Sequence, residues 1–320
     1  MKSISRKSFL RSSGVAMAAL PFALPDLSSF PLDNFPQPYL NSDKTTISIF
    51  SKNLQWTNFN HMAALAAKMG FDGIDLTVRQ GGHVSPENVL RDLPLAVKAI
   101  RDAGINVFTI TTDIKRADDP HTRDILKTAA KLDITNYRMG WYNYNTAIAP
   151  MVNIDNIKKD LKALATVNEE YQIHGGYQNH HGRFGAPIWD LWLALKDLNP
   201  RWIGSQFDIR HATLDGAESW PVSVELIKDY IASIAIKDFY WKNTGKQWEA
   251  INAPLGEGMV DFKAYFKLLK KLNISRPISV HYEYPLGGAE SGSTKLTIAE
   301  EVVIEKMKLD LSTLKSWLAV

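Results

Sequence analysis

Short runs of β-branched and aromatic residues alternate with longer segments of helical period from Thr45 to the end of the chain, and this alternation repeats eight times. Such a succession requires parallel strands joined by crossover helices. The predicted strands span residues 46–51, 73–78, 106–112, 136–141, 175–179, 202–207, 231–237 and 277–282. The pattern therefore predicts an α/β fold with a parallel sheet.

The helical segments are clearest where apolar residues recur every three or four positions, with Ser85 and Gly104 in capping positions. These segments span residues 61–69, 86–103, 122–131, 154–171 and 262–272. An open doubly wound sheet alternates in the same way, but no Gly-x-Gly-x-x-Gly follows the first strand and no phosphate loop is present. A length of 320 residues is compatible with a single barrel. We therefore predict an α/β chain that closes into a (β/α)8 TIM barrel.

The amino terminus has the layout of an export signal, because Lys2, Arg6, Lys7 and Arg11 precede an apolar run over residues 14–24 that is too short to span a membrane. The stretch around Arg6 resembles a twin-arginine signal with Lys7 in place of the second arginine. We predict a signal peptide over residues 1–30, a linker over 31–44, a barrel domain over 45–320 and a periplasmic or otherwise exported protein. A buried amphipathic helix is the alternative interpretation of the first segment.

Composition excludes several classes of function. The chain has 37 basic and 34 acidic residues and no block of basic residues, which argues against nucleic acid as a partner. Cysteine is absent, so disulfides and thiolate chemistry are excluded and His, Asp, Glu, Lys and Arg must carry the chemistry. No segment after the signal is long and apolar enough to cross a bilayer, so we expect no membrane span in the mature protein.

Polar residues collect where each predicted strand meets its helix, and in a barrel these positions converge on the face at the carboxyl ends of the strands. After strand two, Arg79 precedes a Gly-Gly turn that presents His83, and both are candidates for binding a substrate. The alternative is a surface arginine and a turn histidine that contact only water.

Strands five and six end in neighbouring clusters. The first contains Gln178, His180 and His181, and the second contains Asp208 and His211, with Arg210 between them. Imidazoles and a carboxylate at adjacent strand ends can bind a divalent ion or transfer protons near neutral pH. Purely structural hydrogen bonding is the alternative, and only one of two successive strand residues can face inward.

Strand seven ends in Lys237, which can stabilise an enolate or bind a hydroxyl group, or else pairs with Asp238 or Glu257 at the rim. Strand eight places His281 and Glu283 on one face because they are two residues apart. Aromatic residues at these strand ends, Trp241 among them, suit stacking on a sugar ring, although packing in a large core is an equal alternative.

At these motifs the chain resembles the xylose isomerase-like barrel superfamily, the sugar phosphate isomerase/epimerase group, from about residue 45 to the end. The motifs that carry the resemblance are Gly73-Ile74-Asp75-Leu76-Thr77-Val78-Arg79, Tyr177-Gln178-Asn179-His180, Phe207-Asp208-x-x-His211, Ile236-Lys237-Asp238, Leu255-Gly256-Glu257-Gly258 and Ser279-Val280-His281-Tyr282-Glu283.

The resemblance implies one divalent ion, held by a Glu on strand five, an Asp on six, a His on seven and a Glu on eight. Asp208 matches this pattern, but Gln178 and Ala235 stand at two of the other positions, and His281 or Glu283 must serve as the last. A rearranged site for Mn²⁺, Mg²⁺ or Zn²⁺ would draw on Gln178, His180, Asp208, His211 and His281. The other expectation is a site without metal.

The resemblance further implies a sugar isomerase or epimerase that abstracts a proton next to a carbonyl, with a small-molecule sugar as its partner, and the predicted signal peptide adds that this enzyme is exported. Glu283 or His180 would be the base and Lys237 the electrophile, and the expected substrate-binding residues are Arg79, His83, Arg210, His211, Glu257 and Trp241. Three alternatives remain open. They are a keto-sugar lyase or hydratase without metal, a non-catalytic carbohydrate-binding barrel, and a hydrolase that uses Asp208 and Glu283 as paired carboxylates.

Overall fold

A computed structural model describes residues 45–319, so the predicted signal peptide and linker lie outside the described residues. Eight parallel strands close into a barrel. These strands are β1 (Ile47–Phe50), β2 (Gly73–Val78), β3 (Asn106–Thr112), β4 (Asn136–Arg138), β5 (His174–Gln178), β6 (Ile203–Asp208), β7 (Ile231–Ile236) and β10 (Ile278–Val280). Around the barrel they follow the order β1-β10-β7-β6-β5-β4-β3-β2. The predicted (β/α)8 TIM barrel is confirmed.

Helices surround the barrel and connect its strands. They are α1 (Phe59–Met69), α2 (Val89–Asp102), α3 (Thr122–Lys131), α4 (Pro150–Tyr171), α5 (Trp189–Leu195), α6 (Ile209–Gly216), α7 (Trp220–Ile227), α8 (Phe262–Lys271) and α9 (Glu300–Leu318). The helix predicted to begin at Pro86 starts with a short 3-10 turn, Pro86–Asn88, before α2. No helix among the described residues is both long and apolar enough to cross a membrane.

The core forms because each strand is buried and each helix turns one apolar face inward. All residues of β1, β2 and β6 are buried. In α2 the buried residues recur at helical spacing, and they are Val89, Leu93, Ala96, Val97 and Ile100. Helix α1 is capped at its carboxyl end by Gly70, whose φ of 91° is a left-handed conformation that glycine adopts without strain. The sequence pattern therefore orients the strands so that all their carboxyl ends meet at one opening, which we call the mouth.

An antiparallel hairpin follows β7, where the sequence interpretation had only a loop. Its strands are β8 (Asp238–Asn243) and β9 (Trp248–Ala253), paired from Asp238 with Ala253 to Asn243 with Trp248. Its turn contains Gly245 with a φ of 80°. The hairpin was missed because its strands carry polar and aromatic residues on both faces, so their alternation of apolar and polar positions is weak.

Strand β4 is shorter than the sequence suggests. It ends at Arg138, whereas the prediction continued to Trp141. A Cβ on Gly140 would lie 2.5 Å from the carbonyl oxygen of Asp113, so the chain here runs close to the end of β3 and leaves the ladder. The early end allows Trp141 to pack over the guanidinium of Arg138.

Candidate active site

Asp208 lies at the centre of the mouth, at the junction of β6 and α6, and its side chain is completely buried. One carboxylate oxygen, Oδ1, accepts the backbone N–H of His211 at 3.1 Å and caps α6. The other, Oδ2, accepts the amide of Gln178 at 2.8 Å and lies 3.2 Å from Nζ of Lys237. Burying this carboxylate is tolerated because the ammonium and two N–H donors surround it.

A polar chain runs across the mouth from this carboxylate. Gln178 accepts a hydrogen bond from the Arg138 guanidinium at 2.9 Å through its Oε1 and donates to Asp208 through its Nε2. Arginine can only donate and a carboxylate only accept, so this orientation of the amide is fixed by its partners. Residues of β4, β5 and β6 are thereby linked to Lys237 after β7.

Glu283 follows β10 and pairs with Lys52, which follows β1, at 3.1 Å. Burial raises the pKa of Glu283, but the charges of Lys237 and Lys52 and the hydrogen bond from Lys52 outweigh it and leave the pKa below its ordinary value. Both side chains are partly exposed, 27% for Glu283 and 18% for Lys52, so a ligand in the mouth can reach them. Glu283 is therefore an ionised carboxylate at an accessible position.

His180 lies between the rings of Trp141 and His211, at centroid distances of 4.4 Å and 4.0 Å. Burial, together with the positive charge of Lys237, lowers its pKa to about 3, so the ring is neutral at pH 7. Its Nδ1 is 2.9 Å from the carbonyl oxygen of His181 and must carry the proton, because a carbonyl only accepts. The lone pair is therefore on Nε2, which makes His180 a second base at the mouth.

The hairpin contributes one side chain to the mouth. Asn252 of β9 accepts a hydrogen bond from Arg210 at 2.7 Å and donates to the carbonyl oxygen of Glu283 at 3.2 Å. Arg210 also lies over the ring of Phe239 of β8, 5.0 Å from its centroid. The hairpin thus joins the ends of β6 and β10 across β7.

His281 is buried below these groups. Its Nε2 is 3.1 Å from the hydroxyl of Ser279, which donates to Asp75 at 2.7 Å, and its ring stacks on Phe50 with centroids 4.4 Å apart. Burial and the surrounding cations hold its pKa well below the ordinary value. His281 therefore belongs to a hydrogen-bonded set inside the barrel.

The structure brings most of the predicted site residues together. Those gathered at or just below the mouth are Arg79, Gln178, His180, Asp208, Arg210, His211, Lys237, His281 and Glu283. Of the two successive histidines, His181 turns outward to pair with Asp215 at 2.6 Å. Lys237 pairs with Asp208, and so neither of the rim partners considered from the sequence, Asp238 or Glu257, is its counter-ion.

Three predicted substrate-binding residues lie elsewhere. His83 donates its backbone N–H to the hydroxyl of Thr77 at 2.9 Å and lines a separate cavity of about 230 Å³ with Phe59. Burial lowers the pKa of its ring to about 4. Glu257 is exposed on the loop after β9. Trp241 is 38% exposed on β8, where it contacts Phe239.

Sequence reasoning missed Lys52, Arg138 and Asn252. Arg138 carried a usable signal, because a charged residue within a strand that is otherwise buried requires a polar environment. Lys52 carried a weaker signal, since it is a charged residue two positions after the end of β1. Asn252 had none, because its role depends on the hairpin.

The donor set around Asp208 does not suit a divalent cation. Among residues 45–319 no three His, Asp or Glu side chains are grouped to hold a metal ion. Gln178 turns its N–H donor, not its oxygen, to Asp208, His281 bonds Ser279, and the Lys237 ammonium lies where a cation would contact the carboxylate. The predicted set of Asp208, His211, His281 and Gln178 is therefore not arranged as metal ligands.

A closed (β/α)8 barrel with a charged cluster at the carboxyl ends of its strands has the architecture of the barrel enzymes. The family model described as "Xylose isomerase-like TIM barrel" matches residues 63–302, and the chain belongs to this family. No curated protein sequence matches the chain significantly.

Solved structures share the fold at low sequence identity. D-psicose 3-epimerase from Clostridium cellulolyticum, solved with D-tagatose, is 12% identical with a TM-score of 0.63 and covers 86% of this chain and 99% of its own. The 3-keto-D-glucoside 4-epimerase from E. coli is 13% identical with a TM-score of 0.61 and covers 85% and 100%. A putative xylose isomerase from Rhodospirillum rubrum is 14% identical with a TM-score of 0.64 and covers 85% and 99%.

Proposed function

We propose that this protein is an exported enzyme of the isomerase and epimerase type, which abstracts a proton next to the carbonyl of a sugar. The observation that carries the proposal is an ionised, accessible carboxylate, Glu283, in the same opening as the ammonium of Lys237. A base and a cation at one site are what formation of an enediolate requires. The family and the epimerases among the structural neighbours support the choice of a sugar.

Glu283 accepts the proton from the carbon next to the carbonyl. Lys52 and Lys237 keep it ionised, so it is ready to act as a base at neutral pH. Lys237 stabilises the negative charge that develops on the carbonyl oxygen, and Asp208 holds the ammonium in place from the side. No step is assigned to a metal ion, because the donor set does not suit one.

His180 provides the second proton-transferring group that epimerisation needs. Two strands, β6 and β7, separate β5 from β10 in the barrel order, so His180 and Glu283 approach a bound sugar from different sides. Glu283 removes the proton from one face of the sugar. The opposite face of the enediolate then takes a proton from a water molecule held at the Nε2 lone pair of His180, because neutral His180 carries its own proton on Nδ1. The proton on Glu283 returns to the hydroxide that this leaves.

A keto-sugar lyase or hydratase is the second candidate. Gln178 is a neutral amide at the position where the resemblance implies a glutamate. Among the described residues of the mouth, Glu283 is then the one ionised carboxylate that has no buried structural role. Elimination of a leaving group needs one base, whereas epimerisation needs two proton transfers. The products therefore separate the candidates, since elimination gives an unsaturated sugar.

The test is solvent deuterium exchange into a panel of free and keto sugars. We expect the wild-type protein to incorporate deuterium next to the carbonyl, with or without EDTA, and Glu283→Gln to lose at least about 100-fold in rate. Lys237→Met should lose a similar factor. Lys98→Met, on the outer surface of α2, serves as the control.

Exchange that continues unchanged in Glu283→Gln would remove this residue as the base. A wild-type protein that binds sugars but exchanges no hydrogen with any of them would support the carbohydrate-binding alternative instead. Loss of exchange on addition of EDTA would restore the metal to the mechanism.

A further inference from the structure

Three cationic side chains surround the ring of Phe50 at the end of β1. Nζ of Lys52 is 5.8 Å from the ring centroid, the guanidinium carbon of Arg79 is 5.6 Å away and that of Arg138 is 5.9 Å away. They come from the ends of β1, β2 and β4, so the fold itself concentrates positive charge at this side of the mouth. We call this group the Phe50 cluster.

Only one cation of the Phe50 cluster forms an ion pair among the described residues. Lys52 pairs with Glu283, but neither Arg79 nor Arg138 forms an ion pair with a described residue. The buried carboxylate of Asp75 interacts electrostatically with both arginines, but its oxygens accept hydrogen bonds from two hydroxyl groups. Asp113 lines the adjoining cavity with an exposed carboxylate. The two guanidinium groups are therefore left without a directly paired anion.

Arg138 is the least satisfied member. It is 2% exposed, and among the described residues its guanidinium makes one hydrogen bond, to the neutral amide of Gln178. Its Nε and Nη2 are buried without any hydrogen-bond partner among the described residues. A buried guanidinium with unpaired N–H groups is unfavourable, and an anionic ligand would offset that cost. Burial and the charge of Arg79 lower its pKa to about 10, so it remains charged at neutral pH.

A cavity adjoins the cluster. Its volume is about 200 Å³, and Lys52 and Arg79 line it together with the glycines of the turn after β2. Those glycines, Gly81 and Gly82, leave the backbone of the turn uncovered by side chains. The cavity therefore offers a small, polar space beside two cations.

We propose that the substrate is an acidic sugar, whose carboxylate or phosphate group binds in this cavity to Arg79, with the positive charge of the buried Arg138 close by. The inference rests on the proposed function and narrows its substrate class. Arginine binds both anions through paired hydrogen bonds, which explains why guanidinium groups are placed here. The anionic group would lie against the Phe50 cluster while the reacting carbonyl lies near Glu283 and Lys237.

The experiment is calorimetric titration with three sugars that share one stereochemistry, namely D-glucuronate, D-glucose 6-phosphate and D-glucose, repeated for the galactose and mannose series. The proteins are the wild type, Arg79→Gln, and the matched control Arg91→Gln on the outer face of α2, which removes the same charge from an exposed position. Arg79 is half-buried at the end of a strand, so its replacement is less disruptive than that of Arg138.

We expect at least one charged sugar to bind the wild type at least about 10-fold more tightly than its neutral counterpart. Arg79→Gln should weaken that binding by about 10- to 100-fold and leave the neutral sugar unchanged, which corresponds to the loss of a charge-assisted hydrogen bond. Arg91→Gln should behave as the wild type. Preference for the uronate or for the phosphate identifies which anion the cluster recognises.

Equal binding of charged and neutral sugars in all three series would overturn the proposal, and so would equal effects of the two arginine variants. The same titrations on Glu283→Gln separate this inference from the proposed function. If that variant keeps the preference for a charged sugar while the wild type shows no hydrogen exchange, the anion site stands and the proposed reaction fails.

Discussion

Lys237 shows how a single side chain changes the chemistry of the mouth. A cation bonded to Asp208 at 3.2 Å supplies positive charge without a metal, and it also lowers the pKa values of Glu283, His180 and His211. The base is thereby ionised and the imidazoles are neutral at the same pH. Burial of the two imidazoles is the larger cause of their low pKa values, and one lysine at the end of β7 adds to it.

Lys52 acts on the base, and this leads to a prediction about pH dependence. Its charge and its hydrogen bond both lower the pKa of Glu283, so replacing it with methionine should raise that pKa. A base works only when deprotonated, so the acidic limb of the profile of kcat/KM against pH should move to higher pH in Lys52→Met. The measurement is the pH–rate profile of exchange for wild type and variant.

Lys242→Met is the comparison for that profile, because Lys242 is exposed on the hairpin. An acidic limb that stays in place in Lys52→Met would show that Lys52 does not tune the base. A purely structural role of Lys52 would lower the rate at every pH and leave the shape unchanged.

At the level of elements, the hairpin and the loop after it are held by one carboxylate. Oδ1 of Asp238 accepts the N–H groups of Phe239 and Val260, and Oδ2 accepts those of Gly256 and Gly258, all between 2.8 and 3.2 Å. This arrangement fixes the base of the hairpin and thereby the position of Asn252. Glycine is required at 258, because a Cβ there would lie 2.1 Å from Oδ1.

Asp238→Asn tests this anchor. An asparagine must present its NH2 group to two backbone N–H donors, so two donors lose their acceptor and the free energy of unfolding should fall by about 2–3 kcal/mol. Gly258→Ala should have a comparable effect through the steric clash. Urea unfolding measures both, with Asp261→Asn, an exposed helix cap at α8, as a control expected to cost about 1 kcal/mol or less.

If Asp238→Asn lowers the free energy of unfolding by no more than the control variant does, the loop does not depend on this carboxylate. Retention of full exchange activity in a destabilised variant would show that the position of Asn252 is not needed for the reaction.

For the whole molecule, the remaining prediction concerns export. The apolar run over residues 14–24 with Arg6 and Lys7 before it predicts that the chain leaves the cytoplasm and loses about its first 30 residues. Arg6→Gln should leave the full-length precursor in the cytoplasm, because Arg6 is the arginine of the predicted twin-arginine-like signal. Fractionation followed by intact-mass measurement checks both statements.

Recovery of the unprocessed chain from the cytoplasm, for wild type and variant alike, would contradict export. If Arg11→Gln is exported like the wild type while Arg6→Gln is retained, the signal depends on Arg6 itself and not on the overall positive charge of the segment.

The sequence by itself indicated the barrel, because strands and helices of the right period alternate eight times and the nucleotide-binding motifs of an open doubly wound sheet are absent. It also indicated that Asp208, Lys237 and Glu283 belong near one another, since every barrel strand delivers its carboxyl end to the same opening. These conclusions depend only on periodicity and topology.

The tertiary structure alone decided which of these groups pair. Whether Lys237 meets Asp208 or Asp238, whether His180 or His181 turns inward, and whether Arg138 finds a counter-ion all depend on distances between strands that are far apart in the chain. Electrostatic effects change steeply with distance and burial, and neither quantity can be read from sequence spacing. The charge state of the mouth is therefore a property of the folded barrel.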